Sequence, residues 1–76
     1  MQMISRPKPE VGETWIYITG QRYEIVSVRI DSETDQEEVI YREYGSRSPL
    51  WRLDMDDFMA TLGNDGDTVT CFFQRI

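Results

Sequence analysis

Three runs of β-branched and aromatic side chains, "ETWIYI", "YEIVSVRI" and "VIYREY", follow one another between residues 13 and 44 with short polar stretches between them. Such side chains suit a pleated, half-buried surface. The connections have room for hairpins between sequential strands and none for helical crossovers. "TGQR" turns the first run into the second. "DSETDQEE" forms the next hairpin loop, with Asp31, Ser32 and Thr34 placed to bond nearby backbone amides. Gly45 to Ser48 is a loop before a short fourth strand, "PLWRL", and "TVTCFFQRI" closes the chain as a last strand.

One helix interrupts this pattern. Met55, Phe58, Met59 and Leu62 fall at i, i+3, i+4 and i+7, which makes a single apolar stripe over residues 55–62. Asp54 is a good N-cap, and Asp56 and Asp57 complement the helix dipole. Leu53 and Phe58 are spaced as a hydrophobic staple, Gly63 supplies a left-handed stop, and "GNDGD" turns the chain. The expected fold is mainly β. It is either a small five-stranded SH3-like barrel or a strongly curved antiparallel sheet, with one short helix before the last strand. Residues 1–11, with Pro7 and Pro9, read as an N-terminal arm, and residues 12–76 as a single small β-barrel domain.

The chemistry this chain lacks is equally informative. It has no histidine, which removes the usual general base and the commonest metal ligand. No phosphate-binding glycine loop or dinucleotide fingerprint is present, so no cofactor is expected. The acids of "DMDDF", "NDGD" and "DSETDQEE" are accounted for by capping, turns and a solvated hairpin tip, and "NDGD" lacks the spacing of a calcium loop. Neither a metal site nor catalysis is expected. The net charge of −6 disfavours a general nucleic-acid binder. No apolar run approaches a membrane span, and the start "MQMISRPKPE" lacks the apolar stretch of a signal peptide. Cys71 is the single cysteine and reads as a small buried hydrophobe, so a cytoplasmic location is expected.

Two strands carry apolar side chains on both faces. Alternation sends Trp15 and Tyr17 to one side and Ile16 and Ile18 to the other, and sets Val69, Cys71 and Phe73 against Phe72 and Ile76. A small barrel has one interior, so the second set needs the arm (Met1, Met3, Ile4), the helix or another subunit as cover. The expectation is a homo-oligomer or a protein partner, with Trp15, Ile16, Tyr17, Ile18 and Phe72 at the interface.

The stretch "EYGSRSPLWRLDMDDF" offers a second surface. Of the eight basic residues seven are arginine, a side chain that forks onto phosphate and stacks on rings. Tyr41, Arg42, Tyr44, Arg47, Trp51 and Arg52 could therefore form a pocket for a nucleotide or another small anionic ligand. The competing account makes Tyr41 and Trp51 core, turns Arg42 outward against Glu43 and Glu24, and leaves Arg47 on a loop. Two functions follow. One is a non-catalytic binding module capturing a nucleotide, as a phage protein sequestering a host signal would. The other is an adaptor or inhibitor docking on a protein through an exposed apolar face.

The order of these residues also resembles a bacterial and phage family catalogued as domain of unknown function 1653. The resemblance rests on Gly12, Trp15, Tyr17, Gly20 and Tyr23, then Ser32-Glu33-Thr34, then Val39, Tyr41, Tyr44 and Gly45, and it covers about residues 12 to 62. Asp31 stands where the family usually has histidine, and Arg52-Leu53 where it has Arg-Pro. The strand before Tyr44-Gly45 is one residue shorter. The resemblance implies the fold and brings no activity with it.

Overall fold

The structure, a computed structural model, describes residues 7–65 and 68–76, the side chains of 62–69 excepted. Among the described residues seven strands and one helix follow in the order β1 (Thr14–Tyr17), β2 (Arg22–Ile30), β3 (Glu37–Glu43), β4 (Trp51–Asp54), α1 (Met55–Phe58), β5 (Thr61–Asp65), β6 (Thr68–Cys71) and β7 (Phe73–Arg75). Five strands make one antiparallel sheet in the order β4-β3-β2-β1-β7, and β5 and β6 form a separate hairpin. The protein is mainly β, as its sequence implies. Its sheet ends at β4 and β7 rather than closing on itself, so the open sheet and not the sealed barrel is the form it takes.

The hairpins are set by local chemistry. Gly20 donates to the Tyr17 carbonyl and Tyr17 to that of Gln21, closing the first turn with Gly20 at φ +99°, a conformation open to glycine. In the second, the Asp31 carboxylate accepts from the Glu33 amide at 2.8 Å, as an Asx turn does, and Asp35 takes the left-handed position at φ 59°.

Cross-strand partners share a face, so the register identifies the core side. Trp15 sits opposite Tyr23, Tyr17 opposite Phe73, Ile25 opposite Tyr41, and Val28 opposite Val39. A bulge between Ile25 and Ser27 inserts Val26 as an extra residue, and this brings Val28 back to the core side. Strict alternation along "YEIVSVRI" would have turned Val28 away. α1 lies on this side and packs against β3 and β4. Its Phe58 is fully buried, stacked on Phe73 at 4.1 Å between ring centroids and edge-on to Trp15 at 5.3 Å.

Three expectations need correction. The helix is one turn, not two: Met59 is its C-cap, and Leu62 and Gly63 belong to β5 instead of an apolar stripe and a stop. A single turn cannot sustain itself, and the ladder from Thr61 opposite Cys71 offers the chain a strand instead. Asp54 does hold the N-cap position, with Asp56 and Asp57 in the first turn, but its side chain makes no capping bond. The closing run "TVTCFFQRI" is two strands: it bends at Phe72, so β6 pairs with β5 while β7 crosses to β1. The helix is thus followed by a hairpin and then the last strand.

The entrance to the domain hangs on Glu13. Its carboxylate accepts from the Glu10 amide at 2.8 Å, from the Trp15 indole at 3.1 Å and from Arg75 at 3.2 Å. The Glu10 amide, and after it the indole and Arg75, hold this carboxyl below the usual glutamate value against the opposing effect of burial. The stability it adds is fully present above the unfolded-state value of about 4.3 and is lost as pH falls through the lower folded value. Glu13→Ala leaves the indole N–H of a ring that is 2% exposed without its partner. A loss of about 1–3 kcal/mol is expected in a urea titration at neutral pH, and a smaller one below the folded value, where the neutral carboxyl still accepts from the indole through its carbonyl oxygen. Equal losses at both pH values would contradict this role.

Candidate functional site

β3 and β4 carry the residues singled out above, and the pleat sorts them. Tyr41 and Trp51 are cross-strand partners and share the core face. Arg42 faces Glu24 across β2, and Arg52 faces Ile40, both on the outer side. Rings and guanidinium groups therefore point to opposite sides of the sheet. The alternation was readable in the sequence, since each ring stands next to its arginine within one strand.

The six residues meet different surroundings. Tyr41 is 9% exposed and edge-on to Tyr23, Phe58 and Phe73, and burial pushes its phenol above the usual tyrosine range. It is a core residue. Trp51, assigned to the core by the competing account, is instead 52% exposed, because β4 is the outermost strand and nothing described flanks it. Tyr44 is 58% exposed and Leu50 57%. Arg47 is exposed and makes no ion pair among the described residues.

The other two arginines are engaged. Arg42 Nε bonds a Glu24 carboxylate oxygen at 2.6 Å. Arg52 Nε lies 3.6 Å from Glu38 Oε2, and the other oxygen of that carboxylate accepts from Arg29 Nε at 2.6 Å. Glu38 is 4% exposed, and two cations offset its burial. Arg29, Glu38 and Arg52 line a cleft of about 410 Å³ together with Asp31 and Glu33. Its two arginines are outnumbered by its carboxylates, so the cleft offers an anion no net attraction.

At the other end of the sheet the expected interface residues separate. Trp15 is buried in the core and unavailable to a partner. Ile16, Tyr17, Ile18 and Phe72 do come together, lining a groove of about 280 Å³ beside β7. Phe72 is half-buried and stacked on Tyr17 at 6.4 Å, while Ile18 is 46% exposed. Met1, Met3 and Ile4, named as a cover, lie outside the described residues, as does the side chain of Val69.

Among the described residues no group of three metal-ligating side chains converges, and no helix is long and apolar enough to cross a membrane. Cys71 is buried. Two surfaces remain for recognition: the groove beside β7, and the open β4 edge with Tyr44, Arg47 and Leu50 in the segment before it and Trp51 on the strand. Sequence reasoning passed over Leu50 and the edge position of β4, which depend on strand order rather than on any local pattern.

The chain is thus a small mainly β protein built on one open antiparallel sheet. It belongs to the family described as Protein of unknown function (DUF1653), whose family model matches residues 15–74 and so takes in β7 as well as the strands around the candidate site. No curated protein and no solved structure matches the chain.

Proposed function

We propose that this protein is a non-catalytic interaction module that docks on a protein partner through the β4 edge and the loop before it. The observation that carries this reading is the exposure of Tyr44, Leu50 and Trp51 at an outermost strand and the loop before it, a loop whose exposed Arg47 makes no ion pair among the described residues. Tyrosine, tryptophan and arginine dominate the energetics of protein interfaces, and an open strand edge offers backbone groups to an incoming strand. In this reading the protein works in the cytoplasm, where a free thiol such as that of Cys71 persists.

A small anionic ligand is the second reading. It is favoured by Arg22, which also lacks an ion pair among the described residues and whose carbonyl accepts from the Tyr44 amide at 3.0 Å. Arg22 and Arg47 could together flank the exposed Tyr44 ring. It draws no support from Arg42 and Arg52, whose charges are matched by carboxylates.

A photoreactive residue in place of Tyr44, activated in living cells, separates the two. The docking reading expects one dominant protein adduct, lost when Trp51 is changed to Ala, and no calorimetric signal from nucleotides at millimolar concentration. Nucleotide binding that Arg47→Ala abolishes would replace docking with ligand capture.

A further inference from the structure

The composition of β4 narrows the partner, granted the docking reading above. Its outer edge has no backbone partner among the described residues. Two copies joined edge to edge about a two-fold axis normal to the sheet bring identical strands together antiparallel, and only residues of the same face can then stand opposite. In "WRLD", Arg52 and Asp54 share the outer face, while Trp51 and Leu53 share the core face. Few registers satisfy that condition. One sets Arg52 against Arg52 and another Asp54 against Asp54. The register centred on Leu53 sets Arg52 of each chain against Asp54 of the other, twice, and Leu53 against its own copy.

The existing charges favour that register. Asp54 stands directly opposite Glu38 in β3, acid against acid, and has no ion pair of its own among the described residues. Like charges in that position are unfavourable. Arg52 is 64% exposed at its side chain and lies 3.6 Å from Glu38, which it shares with Arg29. A second copy would complete the row Arg29, Glu38, Asp54 and the other chain's Arg52, with a cation at each end. Trp51 would lie beside the new ladder on the core side, covered where it is now bare.

We infer that the protein docks on a second copy of itself, β4 pairing antiparallel with β4 about an axis at Leu53, with Arg52 of each chain opposite Asp54 of the other. A four-residue edge forms few backbone bonds, so the dimer is weak and concentration-dependent. The ion pairs choose the register more than they add affinity.

Sedimentation of the full chain from micromolar to millimolar concentration should show a monomer passing to a dimer, and added salt should weaken it. Asp54→Arg and Arg52→Glu each set like charges opposite and should weaken self-association by roughly tenfold or more. An equimolar mixture of the two variants restores both unlike pairs and should dimerise again. Because Arg52→Glu places an acid near Glu38, its fold is checked by near-ultraviolet circular dichroism. Hydrogen exchange of the unaltered protein gives a reading that needs no variant: those amides of 52–54 that point away from β3 should gain protection as concentration rises. A monomer at millimolar concentration, or a dimer whose 52–54 amides exchange unchanged, overturns the inference. If that monomer is accompanied by a Tyr44 adduct to a different protein, the docking reading stands without it. Absence of both overturns the two together.

Discussion

Phe58→Ala is expected to remove about 3–5 kcal/mol of folding stability, a large part of the 5–15 kcal/mol that domains of this kind hold in reserve. The ring is fully buried. It joins the helix to the sheet by stacking on Phe73 at an interplanar angle of 12° and by meeting Trp15 and Tyr41 edge-on. No neighbour can collapse easily into the space: Val39 and Ile25 are fixed on strands, and Met55 shares the short turn of α1. Because α1 is too short to be stable alone, losing its anchor should release the turn and expose Tyr41 and Phe73 together. A denaturant titration measures the loss, and near-ultraviolet dichroism should report the freed aromatic rings. A loss under about 1 kcal/mol would mean that α1 is not docked on the core.

The same anchor explains what the sequence did and did not disclose. Strands β1 to β4 were legible because they are rich in β-branched and aromatic residues and their turns carry glycine or short polar side chains at the needed positions. The end of the helix was not. Met55 and Phe58 are buried as the apolar stripe requires, but Leu62, which completes that stripe on paper, lies in a strand whose ladder outcompetes a second turn. Nothing local marks the bend at Phe72 either, since "CFFQRI" is uniformly suited to a strand.

The candidate site divides along the same line. The pairing of Arg42 with Glu24, and the separation of Tyr41 from Arg42, follow from alternation and turn on no distant contact. The exposure of Trp51 could not be read that way. Whether a ring on the core side is covered depends on which strand lies beside it, and only the order β4-β3-β2-β1-β7 puts β4 at the rim. Glu38 gives the converse case. "QEEVIY" reads as a solvated loop entering a strand, yet Glu38 is buried because Arg29 and Arg52 approach it from the strands on either side.

Trp51→Ala and Arg47→Ala should therefore behave as Phe58→Ala does not. Trp51 retains about half of its ring surface in the fold. That is on the order of 100 Å² of apolar contact, or about 2 kcal/mol. The remainder is free for a partner. Truncating such an anchor typically costs 2 kcal/mol or more of binding energy, about 30-fold in affinity. Arg47, exposed and without an ion pair among the described residues, should leave folding unchanged to within about 0.5 kcal/mol while weakening docking. Measured side by side, the two variants dissociate stability from recognition. Trp51→Ala should lose both in comparable amounts, Arg47→Ala only recognition, and Phe58→Ala recognition only as far as it unfolds the protein. If Arg47→Ala binds the Tyr44-crosslinked partner as tightly as the unaltered protein, the loop lies outside the contact and docking is confined to β4. If Trp51→Ala also binds unchanged, the β4 edge is not the docking surface, and the groove of Ile16, Ile18 and Phe72 becomes the surface to test.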